Sequence, residues 1–376
     1  MKKTIVFLGA DAAYLYDFRS PLFDLFLERG WRVVAIATLR NGYDPKPFAD
    51  KGVEFLEWRV QKAALNPAAD LGPVLWLYRT LRRLKPDILF AHTVKAVIYG
   101  LLVARIAGVP RKVALIPGLG YAFVPSQAIK QRIVGLVGRL GYRAALSAAQ
   151  ICILQNADDL QTLKRVGVLS GRTPTAIVNG SGVDMERHRP EPWPEGPPTF
   201  LMLARLVRDK GVPEFVEAAR RVRAQVPDAR FLLAGGSDPN PGAVTPVELE
   251  QWRREGVVEV LGHVSDPRPL FKACHVFVLP SYYGEGCPRV NLEAMASGRA
   301  VITTDWVGCR ETVVDGENGL LVPPRDADAL AKAMLSLARD LPRAQAMGEA
   351  GRRLCQARFE LGAVARRTAD LIEGAT

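Results

Sequence analysis

The stretch "HVFVLPSYYGEGCPRVNLEAMASGRAVITTD", residues 275–305, decides the fold. An apolar run, "HVFVLPS", is followed by a glycine-punctuated turn, a helical period, "PRVNLEAMASG", and a second apolar run. Short continuous apolar runs are typical of strands that are buried on both faces, and a helix between two of them crosses over a parallel sheet. The stretch therefore predicts a strand–helix–strand unit.

The same alternation extends along the chain in both directions and predicts a parallel sheet in each half. A segment with five prolines in thirteen residues, 187–199, cannot be helix or central strand and predicts a linker. We expect an α/β protein of two doubly wound, Rossmann-like domains facing across a cleft, with ligands at the carboxyl ends of the strands. The expected bounds are a domain at 1–186, a domain at 200–358 and a C-terminal helix at 359–376 that could cross back to the first domain.

The expected elements follow from the apolar pattern. Strands are predicted at 3–10, 31–38, 87–93, 111–118, 150–156, 199–206, 229–236, 257–264, 275–281 and 299–306. Helices are predicted at 21–30, 71–85, 96–108, 126–149, 211–227, 267–275, 288–298 and 327–340. Gly30 and Gly108 follow helical periods, as glycines that end helices do.

The composition is that of a globular protein, with 48% hydrophobic and 24% charged residues in 376. No apolar run approaches the ~20 residues that span a bilayer. The start, "MKKTIVFLGADAAY", fits a first buried strand better than a signal peptide, so we expect a cytoplasmic protein. Five cysteines are scattered without CxxC spacing, which argues against disulfide and zinc frameworks.

The net charge of +11 is unevenly distributed. Residues 1–190 hold 27 basic and 14 acidic side chains, whereas 191–376 hold 23 and 25. Between residues 71 and 157 there are twelve basic residues and a single acid, Asp87. Such a half favours an anionic partner, either lipid or nucleic acid, although a solvated basic face without a partner is the alternative.

One basic segment, 126–149, has the pattern of a helix that lies on an anionic bilayer. Its apolar positions at helical spacing are Ile129, Ile133, Leu136, Val137 and Leu140, interleaved with Lys130, Arg132, Arg139 and Arg143. The alternative is a helix that faces the core and exposes its basic side. The bilayer interpretation places the protein peripherally on the inner face of the cell membrane.

Two features of the second half predict a phosphate site. Arg205 follows an apolar strand and Lys210 precedes a helix, so these cations could straddle a diphosphate at a strand's carboxyl end. Gly286 allows close approach of the backbone, and Pro288 suits the first turn of a helix, whose free N–H groups favour an anion.

Two glutamates accompany this predicted phosphate site. Glu293 lies in the second turn of the helix and could accept hydrogen bonds from vicinal sugar hydroxyls. Glu285 precedes the helix and would lie near a transferred group. The simpler explanations are compensation of the helix dipole for Glu285 and a surface charge for Glu293.

Together "ARLVRDKG", "LGHV", "SYYGEGCPRVNLEAMASGRAVITTD" and "VVDGENGLLVPPRD" resemble the retaining GT-B glycosyltransferases of family 4. The resemblance covers nearly the whole chain and is strongest over 200–325. It implies that Arg205 and Lys210 bind the donor diphosphate, that Glu293 binds the ribose, and that Glu285 lies beside the donor sugar. The implied donor site also includes Gly262, His263, Val264, Gly286, Cys287 and Pro288. Cys287 stands where phenylalanine is commoner, which leaves the shape of the sugar pocket open.

The first half, with "AHTVKAVIYGLLVARIAGVPRKV" and "IPGLGYAF", resembles bacterial transferases that extend lipid-linked oligosaccharides for O-antigen, capsule or N-linked glycans. The resemblance implies a UDP-sugar donor, with GalNAc or GlcNAc as the sugar, and a polyprenyl-diphosphate-linked sugar acceptor. Arg19, His92, Lys95 and Tyr121 are the candidate acceptor residues. His92 and Lys95 are expected at the end of a strand that faces the cleft. A hydrogen-bonded core residue is the alternative for His92.

The expected mechanism is front-face displacement, in which the leaving diphosphate is stabilised by Arg205, Lys210 and the helix N-terminus. No cofactor and no metal are expected, because the single D-x-D, Asp326 to Asp328, is better explained by capping of a helix. A GT-B sugar-nucleotide epimerase and a transferase with another donor or a non-lipid acceptor are the alternatives. "FLGADAAYLYDF" lacks the GxGxxG of a dehydrogenase, and no nucleic-acid-binding motif accompanies the basic half.

Overall fold

The computed structural model describes residues 2–40, 42–60, 67–119, 129–169, 171–190, 192–236, 238 and 242–374. The chain divides into two units, which are Met1–Ser181 with Gly362–Thr376, and Gly182–Leu361. The first unit is thus formed by two separate segments, and the second unit is one continuous segment between them.

The first unit is built on a sheet of short apolar strands. Within the described residues these are β1 (Thr4–Leu8), β2 (Arg32–Ala37), β3 (Glu54–Glu57), β4 (Ile88–His92), β5 (Arg111–Ile116), β6 (Ile151–Leu154) and β7 (Thr175–Ile177). Neighbours pair in parallel in the order β3-β2-β1-β4-β5-β6-β7. The order reverses between β1 and β4, so the loops after these two strands leave the sheet side by side.

Helices connect these strands. They are α1 (Ala12–Glu28), α2 (Lys46–Asp50), α3 (Pro67–Leu84), α4 (Val94–Ala107), α5 (Ile129–Leu146) and α6 (Ala157–Arg165). The predicted start of the first helix at Pro21 is wrong, because Asp11 caps α1 by accepting a 2.8 Å hydrogen bond from the Tyr14 N–H. Pro21 lies inside α1, and a proline more often marks a helix start than an interior position.

The second unit repeats the architecture. Within the described residues its strands are β8 (Thr199–Leu203), β9 (Arg230–Ala234), β10 (Glu259–Gly262), β11 (Val276–Leu279), β12 (Ala300–Thr304) and β13 (Gly319–Val322). They pair in parallel in the order β10-β9-β8-β11-β12-β13, with the reversal between β8 and β11. The prediction of two doubly wound α/β sheets is confirmed.

Helices cover this second sheet as well, and one more helix ends the chain. They are α7 (Val212–Arg223), α8 (Pro246–Glu255), α9 (Arg268–Ala273), α10 (Arg289–Ala296), α11 (Ala327–Ala338), α12 (Leu341–Arg358) and α13 (Leu361–Glu373). Asp326 accepts a 2.8 Å hydrogen bond from the Ala329 N–H at the start of α11, which confirms that this acid caps a helix. No helix in the described ranges is both long enough and apolar enough to cross a bilayer.

Each face of the first sheet has its own core. Ile5 and Phe7 of β1 belong to one cluster, whereas Val6 and Leu8 belong to the other, because successive side chains of a strand point to opposite faces. The Phe7 ring packs edge-on against Phe23, 4.9 Å between centroids. Full burial of one such side chain contributes about 1.5–3 kcal/mol, so the aromatic cluster under α1 fixes the position of that helix.

The last helix, α13, packs into the first unit. Ala365, Ala369 and Ile372 enter the same cluster as Phe7. Polar contacts add to it, since Arg29 pairs with Asp370 at 2.9 Å and with Glu373, and the Trp31 indole donates to Glu373 at 3.1 Å. The segment after residue 361 thus contributes apolar and charged contacts to the unit in which the chain began.

The proline-rich segment 187–199 lies within the second unit. Its carbonyl groups are bound by buried side chains, with His275 Nε2 2.9 Å from Pro194 O and Arg299 Nη2 donating to Pro192 O at 3.3 Å. The Arg299 guanidinium carbon also lies 5.3 Å from the centroid of the Trp193 ring. These contacts hold the segment against the rest of the second unit.

Buried histidines make the fold sensitive to acid. Three of the four histidines, His92, His188 and His275, are buried, and burial is the largest cause that lowers the pKa of each. For His188 the pKa falls to about 4. The unfolded chain, with an ordinary histidine pKa of about 6.5, therefore binds more protons than the folded chain below that pH, so stability is lost as the pH falls from 6.5 towards 4.

We expect His188→Gln to remove part of this acid sensitivity. Between pH 7 and pH 5 the variant should lose less unfolding free energy than wild type, by on the order of 1–2 kcal/mol. Thermal denaturation at both pH values measures the difference. His263→Gln, at an exposed histidine, is the control and should keep the wild-type pH dependence. Equal acid sensitivity in His188→Gln and wild type would contradict the expectation.

Candidate functional site

The loops after β8 and β11 meet at the point where the strand order of the second sheet reverses. Gly211, with φ +79°, lies so close to the loop after β11 that a Cβ atom on it would be 2.2 Å from Pro280 O. The Tyr282 N–H also donates to Asp209 O at 2.8 Å. Ligands of doubly wound sheets bind at such a reversal, and the predicted Arg205, Lys210 and Glu285 all lie on these two loops.

Arg205 and Lys210 flank one aromatic ring. The Arg205 guanidinium carbon is 5.5 Å, and Lys210 Nζ is 5.3 Å, from the centroid of the Tyr283 ring. Arg205 is half exposed and pairs with Asp238 at 2.8 Å, whereas Lys210 is largely buried and pairs with Glu285. Because the face of an aromatic ring attracts cations, Tyr283 helps to hold two positive charges close together.

Glu285 is held by its neighbours on three sides. Ser281 Oγ donates to its Oε1 at 3.4 Å, and its own N–H donates to Tyr283 O at 2.8 Å. Gly308, with φ +78°, presses on the backbone, since a Cβ atom there would be 2.4 Å from Glu285 O and 2.8 Å from Gly286 O. These contacts fix the carboxylate where Lys210 reaches it.

The helix α10 starts directly after this loop. Pro288 is its N-cap, with extended backbone, and among the described contacts no side chain caps the first turn. The N-terminus of a helix carries partial positive charge and suits an anion. Burial raises the pKa of the Cys287 thiol, so the cysteine at this turn is a neutral packing residue. The predicted Gly286, Cys287 and Pro288 are therefore beside Glu285.

Glu293 lies on the second turn of α10 and is largely buried. Its Oε1 is 3.1 Å from Arg289 Nε one turn earlier. Burial is the largest cause that raises the pKa of this carboxyl, and the charge of Arg289 opposes it. Its burial does not fit the simpler explanation of a plain surface charge. A desolvated carboxylate is a strong acceptor of hydrogen bonds from hydroxyl groups.

The predicted loop Gly262–Val264 lies at the same edge of the second sheet. It follows β10, which is two strands away from β8. Gly262 has φ +74°, and its carbonyl accepts from the Gly235 N–H at 2.8 Å. His263 is exposed and close to Gly236, where a Cβ atom would be 3.6 Å from Nδ1. Apart from Glu293 on α10, the predicted residues of the second unit thus lie at the carboxyl ends of strands of one sheet or on the loops that follow them.

In the first unit, His92 ends β4 at the reversal of the strand order. It is fully buried, and neither ring nitrogen has a hydrogen-bond partner among the described residues. The Tyr14 ring packs 5.6 Å away edge-on, and Gly9 approaches so closely that a Cβ atom would be 3.2 Å from His92 Cε1. Burial, followed by the charge of the buried Arg19, lowers the pKa of His92 well below its ordinary value. The imidazole is therefore neutral.

Lys95 does not end a strand, as the sequence had suggested, but lies in the first turn of α4. The backbone turns at Thr93, with φ +75°, before Lys95 is reached. Its buried ammonium pairs with Asp70, 2.7 Å to Oδ2, and the Tyr99 hydroxyl donates to the same oxygen at 2.8 Å. Burial, with the bond to Asp70 second, raises the pKa of Tyr99 to about 12. Lys95 thus joins α4 to α3.

The structure brings together Arg19 and His92 of the predicted acceptor residues, and Tyr121 lies outside the described residues. Asp70, Asp238 and Tyr283 were not predicted. The signal that could have found Tyr283 is the tyrosine doublet, 282–283, which only Gly284 separates from Glu285. Among the described residues there is no group of three or more His, Cys, Asp or Glu side chains that could hold a metal ion.

Two family models match the chain. The model described as glycosyl transferases group 1 matches residues 197–340, and the glycosyl transferase 4-like model matches residues 5–166. The two matches fall in different units. Each unit of the chain therefore resembles a half of the same class of enzyme.

Among named relatives, one from Campylobacter jejuni is 30% identical over 349 residues, which are 89% of this chain and 89% of the relative. It is the N,N'-diacetylbacillosaminyl-diphospho-undecaprenol alpha-1,3-N-acetylgalactosaminyltransferase. A second, from Escherichia coli, is the UDP-Gal:alpha-D-GlcNAc-diphosphoundecaprenol alpha-1,3-galactosyltransferase. The two sequences are 28% identical, and the match covers 72% of this chain and 71% of the relative.

Solved structures share the fold. Sucrose-phosphate synthase from Thermosynechococcus elongatus superposes with a TM-score of 0.82 at 23% sequence identity. The superposition covers 100% of this chain and 99% of the synthase chain. HepE from Anabaena, in complex with UDP, superposes with a TM-score of 0.75 at 20% identity over the whole of both chains. At these identities the likeness shows the GT-B fold.

We expect Gly308→Ala to destabilise the protein more than Gly316→Ala. Both glycines have nearly the same left-handed φ, +78° and +79°, but a Cβ atom meets nothing within 4 Å at Gly316. A positive φ costs a residue with a Cβ atom about 1–2 kcal/mol, so both variants should lose stability. The collision with the Glu285 carbonyl should cost Gly308→Ala about 1–3 kcal/mol more. Thermal denaturation of the pair measures this, and equal losses would contradict the proposed close contact.

Proposed function

This chain belongs to the family 4-like, group 1 glycosyltransferases with the GT-B fold, and we propose that it moves a sugar from a UDP-sugar to a polyprenyl-diphosphate-linked sugar. The donor sugar is an N-acetylhexosamine, GalNAc or GlcNAc, and the product is an intermediate of a bacterial surface glycan. The observation that carries the proposal is the pair of cations beside Tyr283, on the loops next to the N-terminus of α10. The names of the two relatives support the lipid-linked acceptor.

The donor diphosphate is bound by Arg205, Lys210 and the first turn of α10. A diphosphate carries at least two negative charges, which these two cations and the partial charge of the helix N-terminus can balance. No metal ion is then required for the leaving group. Glu293 accepts hydrogen bonds from the ribose hydroxyls, and Gly262, His263 and Val264 border the base.

The transfer proceeds with retention by front-face displacement. The bond between the anomeric carbon and the phosphate oxygen breaks, the acceptor oxygen attacks from the same face, and its proton passes to the leaving phosphate oxygen. Glu285 is unsuited as a nucleophile because its carboxylate is engaged by Lys210 and Ser281. Its role is to orient the donor sugar and to stabilise positive charge at the anomeric carbon.

The acceptor diphosphate or first sugar is bound near Arg19 and His92. The imidazole of His92 is neutral and buried and has no hydrogen-bond partner among the described residues, so it can donate one hydrogen bond and accept another. Lys95 contributes indirectly, since its ammonium is bound by Asp70. Tyr121 remains a candidate for the same group.

The acceptor lipid requires that the first unit reaches a membrane, and α5 is the proposed contact. Its inward side packs closely on α4, with Tyr142 buried and Gly141 against Ile98. Its outward side exposes Leu136, Val137 and Leu140 by 53%, 44% and 58%. Aliphatic side chains beside Arg139 and Arg143 are the mixture that binds an anionic bilayer surface, so the protein would act at the inner face of the membrane.

The test of the proposed function is UDP release from UDP-GalNAc, UDP-GlcNAc, UDP-galactose and UDP-glucose. Each donor is used with and without a short polyprenyl-diphosphate-N-acetylhexosamine. We expect acceptor-dependent release with one donor, which survives EDTA and gives a product with the donor's anomeric configuration. Arg205→Ala should lose roughly 10²-fold in turnover and weaken UDP binding, because a diphosphate partner is removed.

Glu285→Gln separates catalysis from binding. Turnover should fall by roughly 10²-fold. UDP affinity should be kept, because Lys210, which no longer pairs with a carboxylate, remains available to the diphosphate. In the same assay, His92→Ala should raise the acceptor KM without changing UDP affinity. Near-normal turnover of Glu285→Gln would refute its role. UDP binding without release from any donor would point to another activated sugar, another acceptor or an epimerase.

We expect binding of the protein to anionic vesicles to depend on α5. In a flotation assay with phosphatidylglycerol vesicles, Leu136→Ser with Leu140→Ser should reduce the bound fraction at all salt concentrations. Arg139→Glu with Arg143→Glu should reduce it most at low salt, where charges are least screened. Val247→Ser, at a 77% exposed valine on α8, is the control. Binding that both double variants retain would contradict the proposal.

A further inference from the structure

Tyr282 precedes Tyr283, whose ring contacts Arg205 and Lys210, and it makes a separate set of contacts. Its backbone N–H donates to Asp209 O at 2.8 Å, directly before Lys210. The Arg325 guanidinium carbon lies 4.5 Å from the centroid of its ring. Tyr282 therefore connects the two donor-site loops to the segment before α11.

Arg325 has an unfavourable backbone. Its φ of +60° lies in the left-handed region, which costs residues with a Cβ atom. A left-handed position of the same unit, Gly256 with φ +65°, carries glycine. A strained residue persists where its side chain has a use that compensates for the strain, and among the described residues the Arg325 side chain contacts the face of the Tyr282 ring.

The charges around Tyr282 are complementary. Burial is the largest cause that raises the pKa of the Glu214 carboxyl, and the charge of Arg325 opposes it. Burial, followed by the charge of Glu214, raises the pKa of Tyr282 to about 12, so its hydroxyl remains a hydrogen-bond donor. The charges of Glu214 and Arg325 thus act on the pKa of Tyr282 in opposite directions.

We propose that Arg325 is a positioning residue of the donor site, which holds Tyr282 in place and through it the loop that carries Lys210 and Glu285. The proposal rests on the donor site described under the proposed function. Arg325 does not itself need to contact the donor. Loss of its guanidinium should loosen the loop 281–285 and weaken donor binding without destabilising the fold.

The test compares Arg325→Gly with Lys85→Gly. Lys85 is the matched control, because it is exposed, has φ +46° and lies in the first unit. Relief of strain and the greater freedom of unfolded glycine oppose each other, so both variants should keep their Tm within roughly 2 °C of wild type. UDP affinity, measured by calorimetry, should fall roughly 3- to 10-fold in Arg325→Gly alone.

Arg325→Lys distinguishes packing from charge. Lysine keeps the charge and the strained backbone but lacks the planar guanidinium that covers a ring. We expect partial rescue, with UDP affinity between those of wild type and Arg325→Gly. Full rescue by lysine would assign the effect to charge alone and overturn the positioning role.

Hydrogen exchange tests the same role without any ligand. The peptide that contains residues 281–285 should exchange faster in Arg325→Gly than in wild type, and no faster in Lys85→Gly. If wild type does not bind UDP, the proposed donor fails while the exchange result still decides the role of Arg325. Unchanged exchange of this peptide in Arg325→Gly would overturn the positioning role.

Discussion

The contact of Gly211 with the Pro280 carbonyl is the constraint on which the site of the second unit depends. Because Gly211 has no side chain, the loop after β8 can lie directly against the loop after β11, at the place where the strand order reverses. Only because these two loops touch can Lys210 on one of them pair with Glu285 on the other. The charged chemistry of the site therefore follows from a steric requirement of the backbone, which only glycine satisfies.

Sequence alone was sufficient for the architecture and for the loops of the second unit. Continuous apolar runs such as "HVFVLPS" have one physical solution, a buried parallel strand, and the residues after them must then gather at one edge. The strands β3, β7 and β13 were not predicted, because they are short and lie at sheet edges. Partial exposure there replaces some of the apolar residues that would indicate a strand. The helix α8 was not predicted because polar residues dominate it. The helix α12 was not predicted because many of its apolar positions are alanine or glycine, which give a weak hydrophobic period.

The first unit was harder to predict, because its polar residues interact over long sequence distances. Lys95 reads as one of twelve basic residues in an almost acid-free stretch, and nothing in that pattern reveals that Asp70 neutralises it inside the protein. The burial of His92 likewise depends on Gly9, directly after β1, and on Tyr14 of α1. Such pairings arise from topology, and a single sequence does not encode them as a local pattern.

The return of α13 to the first unit has a consequence for how the molecule is connected. The second unit is, in topological terms, an insertion within the first, attached by two chain crossings near residues 181 and 361. Labels placed near residues 2 and 374 would therefore both report on the first unit, and a single cut within the second unit would leave every fragment still attached to a segment of the first.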